Sequence, residues 1–407
     1  MCAGETMSMD LTEPDAGSDL QSVMLKATYD EENQCWRLNG SKRFITNGDS
    51  DIHLVLARSE AGTRDGRGLS MFIYDKRDGG VDVRRIENKM GIHGSPTCEL
   101  VYKNAKCELC GDRKLGLIKY VMSLMNGARL GIAAQSVGLS QAAYEEAVAY
   151  ARDRKQFGKA IIEFPAVAEM IANIKARLDA GRALLYQTAR YVDIYKNLED
   201  ISHERKLTAE ERQELKQYSR LADAFTPLAK GMNSEYANQN AYDCIQVHGG
   251  SGFMLEYACQ RLYRDARIMN IYEGTTQMQT IAAIRYVTNG MYATVIQDME
   301  RQAMMAGLEG DYTLRRLKEM ASKFNACTAA VKEAADQDFH DLCARHLYEM
   351  AGNIIMCHLL LLNTLKNPEL FGRSLQVYVN IADAEVEKQF NWIRKMTPDK
   401  VDYYRQA

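Results

Sequence analysis

Residues 261–279 read RLYRDARIMNIYEGTTQMQ, and they place one carboxylate, Glu273, between a tyrosine and a glycine–threonine pair. The residues just before it, Ile271 and Tyr272, are apolar and aromatic and favour burial, and burial makes an ionised Glu273 costly. A structural explanation exists, because a glutamate near a helix start stabilises that helix when Gly274 or Thr275 serves as its cap. The alternative is that the carboxylate takes part in chemistry.

The composition excludes several classes of protein. The 407 residues suffice for roughly two to three domains. Lys plus Arg total 51 against 54 Asp plus Glu, so no basic excess indicates a nucleic-acid partner. The ten cysteines show no framework spacing, and the pair Cys107–Cys110 has no second CxxC, which predicts a plain loop without metal. Free thiols in this number favour a reducing compartment, such as a bacterial-type cytoplasm.

Membrane and export signals are weak. The most apolar run, residues 353–365, is short and is interrupted by His358. The first twenty residues have neither the basic nor the apolar region of a signal peptide. We therefore expect no transmembrane segment and no membrane contact.

The hydrophobic pattern changes near residue 110. Before it, short β-favouring runs alternate with turns: MLKATY, CWRLNGSKRFITNG, HLVLARS, LSMFIYD, VDVRRI and TCELVYKN. This spacing predicts an antiparallel sheet or barrel. From Asp112 onward a helical period takes over, and the charged stretch 196–216 predicts the solvated tip of a helical hairpin.

Common catalytic motifs are missing from the sequence. It has no Walker loop, and no strand–turn–helix carries GxGxxG. The cluster HGGSGF (248–253) follows helical sequence, so it is either a turn between helices or a close backbone approach to a phosphate. Ser18 and His248 could act as nucleophile and base, but no GxSxG elbow supports a hydrolase.

A set of motifs in fixed order is more informative: LTEPDAGSD (11–19), KRFITNG (42–48), RKQFGKAI (154–161), QVHGGSGF (246–253) and the stretch 261–279. Over about residues 8–290 the chain resembles the acyl-CoA dehydrogenase family. The resemblance implies an α+β multidomain protein with an antiparallel β-barrel middle domain (1–110) and a helical bundle that binds flavin and acyl-CoA (111–290). Residues 291–407 are similar to the helical extension of the family's larger branch.

The resemblance implies FAD as cofactor, lying between barrel and bundle. The matching positions are Leu11, Thr12, Phe44, Thr46, Arg154, Phe157, Gln246, Gly250, Thr275 and Gln277. Among them, Phe44 matches the aromatic against the flavin ring and Thr46 the hydrogen bond near flavin N5. Arg154 and Phe157 match residues that reach the FAD of a neighbouring subunit, which implies a homodimer or homotetramer.

In the family, the position of Glu273 holds the catalytic base. The resemblance implies that Glu273 takes the α-proton of an acyl-CoA thioester while the β-carbon gives a hydride to flavin N5. Gly274 leaves room for the thioester. Ser18 matches a contact to the pantetheine arm, and Arg129 and Arg285 match contacts near the phosphates and the adenine of CoA.

The sequence departs from the family in three places. The N-terminal helical domain is not present ahead of Leu11 and Thr12, which implies a truncated product or a second polypeptide that supplies it. Pro165 stands where many members have a glutamine that touches FAD, and His93 where many have arginine.

Three functions therefore stay open. The first is an FAD-dependent acyl-CoA dehydrogenase that passes electrons to an electron-transfer flavoprotein, as in fatty acid β-oxidation. The second is a non-catalytic remnant or structural subunit, which the missing domain favours. The third is an acyl-CoA oxidase, which differs in how oxygen reaches the reduced flavin.

Overall fold

The computed structural model describes residues 4–405, and the first part of the chain is a sheet of seven strands. The strands are β1 (Met7–Asp10), β2 (Lys26–Asp30), β3 (Cys35–Thr46), β4 (Ile52–Arg58), β5 (Leu69–Asp75), β6 (Val81–Ile86) and β7 (Thr97–Cys110). The six predicted runs all form strands. Cys107 and Cys110 lie in β7 and not in a loop, which corrects that prediction, because β7 extends beyond Asn104 to pair with β3 and β5.

The sheet closes on itself, which confirms the predicted barrel. Antiparallel pairing joins β2 to β3, β3 to β7, β7 to β5 and β5 to β4. One parallel pair, Lys26 with Arg58, returns from β4 to β2. The unpredicted strand β1 also runs parallel along β4, so the barrel is mixed and not wholly antiparallel. β6 pairs with residues 98–102 of β7, whereas β5 pairs with residues 108–110 of the same strand.

The interior of the barrel contains an ionic contact. Lys42 of β3 is fully buried, and its Nζ donates to the Leu11 carbonyl (2.8 Å) and to Glu13 Oε1 (2.9 Å). The Glu13 carboxylate also accepts from the N–H groups of Met24 and Leu25, at 2.8 and 2.9 Å. Burial lowers the pKa of Lys42, and the charge of Glu13 opposes this shift. These bonds fasten the segment after β1 to β3.

The rest of the chain is helical apart from the small hairpin of β8 (Lys155–Gln156) and β9 (Lys159–Ala160). The helices are α1 (Met122–Asp153), α2 (Pro165–Glu204), α3 (Ala209–His248), α4 (Ala258–Ala266), α5 (Thr276–Thr288), α6 (Met291–Ala303), α7 (Tyr312–Glu333), α8 (Gln337–Lys366) and α9 (Pro368–Lys395). A 3-10 turn, Gly249–Phe253, follows α3, as one interpretation of HGGSGF predicted.

The charged stretch forms a hairpin tip, as predicted. α2 ends at Glu204 and α3 begins at Ala209, where Thr208 and Glu211 form a capping box. The apolar run 353–365 lies in α8, and its first nine residues are buried. No helix within residues 4–405 is long and apolar enough to cross a membrane.

The chain divides into two compact units, one up to Gly127 and one from Ala128 onward. In the second unit, one hydrophobic core joins α2 and α3 to α5–α9, with Leu184, Phe225 and Ile354 among its buried residues. The boundaries at residues 110 and 290 stay predictions.

Candidate active site

The backbone around Glu273 is strained. Glu273 has φ +54° and Gly274 has φ +86°, so two successive residues are left-handed just before α5. The cap of α5 is Thr275, whose hydroxyl accepts from the N–H of Met278 (3.3 Å). A left-handed glutamate costs about 1–2 kcal/mol and is not needed for the cap. The helix-start explanation thus accounts for Thr275 but not for Glu273.

The Glu273 side chain is half-buried, and its Oε2 atom has no hydrogen-bond partner among the described residues. Burial raises the pKa of this carboxyl, while the charges of Lys230 and Arg129 lower it. A buried acceptor oxygen without a donor is costly in a purely structural role. The arrangement is typical of a carboxylate that meets a bound molecule.

Two buried side chains hold the backbone carbonyls of the turn. Lys230 of α3 donates from Nζ to the Gly274 carbonyl at 2.7 Å. Gln279 of α5 donates from Nε2 to the carbonyls of Glu273 (3.2 Å) and Gly274 (2.9 Å). A Cβ atom at residue 274 would lie 2.8 Å from Gln279 Nε2, so this position requires glycine for space as well as for φ.

Lys230 and Gln279 were not predicted from the sequence as part of the site. The signal for Lys230 was its position as a lone cation in the helical run PLAKGMNS. Burial lowers its pKa to about 8, against the raising effect of Glu273. A buried lysine next to a half-buried carboxylate with a raised pKa is typical of a functional site.

Arg129 of α1 also lies at this turn. The ideal Cβ position of Gly274 is 3.7 Å from an Arg129 guanidinium nitrogen. Burial lowers the pKa of Arg129, and Glu273 raises it. The structure therefore places Arg129 in the environment of the carboxylate. Its contact with CoA phosphates stays a prediction.

Six of the other predicted residues of the second unit lie at the surface. Those at the surface are Arg154, Phe157, Gln246, Gly250, Gln277 and Arg285. Phe157 is 93% exposed at the tip of the β8–β9 hairpin. Arg285 stacks on the Tyr286 ring and donates to its hydroxyl (2.6 Å). No described hydrogen bond or ion pair joins any of them to Glu273.

The predicted residues of the first unit gather at one end of β3. The Thr12 carbonyl accepts from the N–H of Arg43 (2.9 Å), and Leu11 is buried beside it. A register shift between Lys42 and Ile45 leaves Phe44 left-handed and 55% exposed. Thr46 is exposed at the end of the strand. Bulges of this kind re-aim side chains next to binding sites. Ser18 is exposed in the loop that precedes β2.

A cavity of about 670 Å³ lies elsewhere in the second unit, among α2, α3, α6 and α8. Its wall includes Arg190, Tyr218 and Met299 but no predicted site residue. The chemistry of the Glu273 turn, and not cavity size, therefore identifies the candidate site.

The family models agree with this arrangement of barrel and helices. The model for the middle domain of acyl-CoA dehydrogenases matches residues 8–105, that for the C-terminal domain matches 118–287, and the acyl-CoA dehydrogenase C-terminal model matches 288–401. A barrel of this type followed by such helices defines a flavoprotein oxidoreductase fold.

Individual relatives point the same way. An acyl-CoA dehydrogenase of Bacillus subtilis is 36% identical over 284 residues, which are 69% of this chain and 68% of that protein. A 3-methylmercaptopropionyl-CoA dehydrogenase of Ruegeria pomeroyi is 33% identical over 81% of this chain and 59% of that protein. The FAD complex of a Bacillus anthracis acyl-CoA dehydrogenase superimposes with a TM-score of 0.77 at 25% identity, covering 98% of this chain and 70% of that one.

The chain belongs to the acyl-CoA dehydrogenase family, whose cofactor is FAD. It spans 59–68% of the length of these two curated relatives.

The residues present fit that cofactor. Phe44 offers an exposed ring of the size that stacks on an isoalloxazine, and Thr46 lies two residues away with an exposed hydroxyl-bearing side chain. At Gly249 and Gly250, a Cβ atom would meet nothing within 4 Å, so the backbone there is open to a diphosphate.

Proposed function

We propose that this chain carries out FAD-dependent α,β-dehydrogenation of an acyl-CoA thioester, with Glu273 as the base that removes the α-proton. The observation that supports this most directly is the buried, unpartnered Glu273 Oε2 on a left-handed turn. FAD, when bound, accepts the β-hydride at its N5.

The environment of Glu273 suits proton abstraction. The α-proton of a thioester is weakly acidic, so a carboxyl with a raised pKa is a better base than an ordinary one. In the described part of the chain, the N–H of Glu273 has no hydrogen-bond acceptor. It is available to the thioester carbonyl, where negative charge develops as the proton leaves. Gly274 leaves this approach unobstructed.

The proposed binding residues follow the family positions. FAD contacts are assigned to Leu11, Thr12, Phe44, Thr46, Arg154, Phe157, Gln246, Gly250, Thr275 and Gln277. Acyl-CoA contacts are assigned to Ser18, Arg129, Gly274 and Arg285. An electron-transfer flavoprotein is the proposed electron acceptor, and fatty acid β-oxidation in a reducing compartment is the proposed setting.

The test is the visible spectrum of the purified chain with FAD, under nitrogen and with an acyl-CoA added. We expect a bound flavin band that bleaches on addition of the thioester. Protein that stays colourless with added FAD supports the remnant alternative. Rapid reoxidation of the bleached flavin by oxygen supports the oxidase.

Phe44→Ala is expected to weaken FAD binding by about 1 kcal/mol, or roughly fivefold in Kd, because a stacking face is lost. Fluorescence titration of FAD measures this. Ile86→Ala, which truncates another exposed apolar side chain of the barrel, is the control and should leave Kd unchanged. Equal affinities for the two variants would show that Phe44 does not face the flavin.

Self-association is expected because Phe157 exposes 93% of its surface on a short hairpin next to Arg154. Sedimentation velocity at micromolar concentrations should show a dimer or tetramer, and Phe157→Asp should shift it toward monomer. Met305→Asp, at a residue that is 89% exposed, is the matched control. A wild-type chain that is monomeric at high micromolar concentration contradicts the proposed homo-oligomer.

A further inference from the structure

Lys230 is a charged group that has no role in the proposed reaction as described above. It is fully buried in the middle of α3, and its single described hydrogen bond goes to the Gly274 carbonyl (2.7 Å). Buried lysines lose hydration, so a protein keeps one only where a partner offsets that loss. A backbone carbonyl alone is a weak partner for a full positive charge.

Three ionisable groups act on the Lys230 ammonium. Glu273 raises its pKa, Arg129 lowers it, and Glu235 raises it by less than Glu273 does. Glu235 is already engaged, since it accepts from the Thr276 hydroxyl (2.5 Å) and lies 3.6 Å from the guanidinium of Arg345. Glu273 is therefore the main negative charge that Lys230 faces.

The uncharged neighbours complete the surroundings. Burial raises the pKa of Tyr272 to about 12 and raises that of Tyr348 as well, so both phenols are neutral near pH 7. Gln279 shares the Gly274 carbonyl with Lys230 but carries no charge. Of the two described side-chain bonds to the Gly274 carbonyl, the one from Lys230 comes from a charged group and the one from Gln279 from a neutral group.

We propose that Lys230 is the positioning residue of the Glu273 turn: it holds the Gly274 carbonyl, and its ammonium keeps the half-buried Glu273 carboxylate ionised. The inference deepens the proposed function, since an ionised carboxylate is the form that can take a proton. The contacts on which it rests lie within the chain itself, so the inference can be tested without substrate.

The direction of the effect follows from the causes. Burial raises the pKa of Glu273. The charges of Lys230 and Arg129 lower it, and Lys230 has the larger effect. Removing the ammonium leaves the burial and only Arg129 to oppose it. The pKa of Glu273 then rises, and the ionised base is lost at a higher pH than in the wild type.

The experiment uses Lys230→Met, which removes the charge and the bond, and Lys230→Gln, which removes the charge but keeps a donor. Infrared titration of the chain without flavin follows the protonated carboxyl band that is absent in Glu273→Gln. We expect its midpoint to rise by about 1–3 pH units in both variants, the size of a lost neighbouring charge. Lys216→Met, at an exposed lysine on the same helix, should leave the midpoint unchanged.

Flavin reduction by acyl-CoA provides the second readout. In both variants, the acidic limb of the rate–pH profile should move upward with the infrared midpoint. Lys230→Met should also lower the maximal rate more than Lys230→Gln, because only the latter can still hold the turn. If Lys230→Met does not fold, Lys230→Gln decides the charge effect alone.

The outcomes separate the two proposals. An unchanged infrared midpoint in a folded Lys230 variant overturns the role of Lys230, whatever the enzyme activity. A shifted midpoint in a chain whose Glu273→Gln variant still reduces flavin upholds Lys230 as the residue that sets the charge of Glu273. That second result instead removes Glu273 as the base.

Discussion

Glu273→Gln is expected to slow the reduction of flavin by an acyl-CoA by about 10²–10⁴-fold or more, the contribution of a positioned proton transfer. Glutamine keeps the shape of the side chain and its contacts but cannot take the α-proton. FAD affinity should hardly change, because the carboxylate is proposed to face substrate. Acyl-CoA should bind as tightly as before or more tightly, since no anion lies against the thioester.

Rapid-mixing absorbance of the flavin band, together with a melting curve, measures both consequences. If Glu273 served only the start of α5, the variant would lose about 0.5–2 kcal/mol of stability and keep its rate of flavin reduction. Glu210→Gln, an exposed acid in the first turn of α3, controls for loss of a carboxylate in general. A near wild-type rate of flavin reduction in Glu273→Gln would show that Glu273 is not the base and that another carboxylate takes the α-proton.

Lys42→Met is expected to lower the free energy of unfolding of the barrel by about 3–5 kcal/mol, because it leaves the buried Glu13 charge without its cation. Methionine fills most of the space but cannot donate to Glu13 or to the Leu11 carbonyl. The segment that carries Leu11 and Thr12 should loosen, so FAD affinity should fall as well.

Urea denaturation, monitored by intrinsic tryptophan fluorescence, measures this loss of unfolding free energy. Lys106→Met, on β7, breaks a largely exposed pair with Asp78 and should cost about 1 kcal/mol or less. In the double variant Lys42→Met with Glu13→Gln, both charges are gone while the amide oxygen can still accept from a backbone N–H, so part of the stability should return. Equal losses in the Lys42 and Lys106 variants would contradict a structural role for the buried pair.

Much of the barrel could be predicted because its strands carry their own pattern. The six runs between residues 24 and 104 are β-favouring and stand between turns, and each lies in a strand, although β7 continues to Cys110 beyond the predicted run. β1 was missed because MSMD has only four residues, and its partner β4 begins some forty residues later in parallel pairing. A local pattern does not contain that partner.

The site shows the same limit. Glu273 was found because it stands in a recognisable stretch, whereas Lys230 and Gln279 act on it through bonds that exist only when α3 and α5 meet at the turn. A helical apolar period treats Lys230 as an interruption of a core helix. The full burial of Lys230 and its bond to the Gly274 carbonyl, which only the structure shows, connect this residue to the Glu273 turn.

The closed ring of strands also affects how this protein meets other chains. β3, β4, β5 and β7 each have partner strands on both sides, so a foreign strand has to displace a native one to pair with them. Free edges remain on short strands, and β6 carries Asp82, Arg84 and Arg85 on exposed positions. Charges of this kind resist edge-to-edge aggregation. The barrel is therefore protected against amyloid-like assembly by its topology and by the charges on β6.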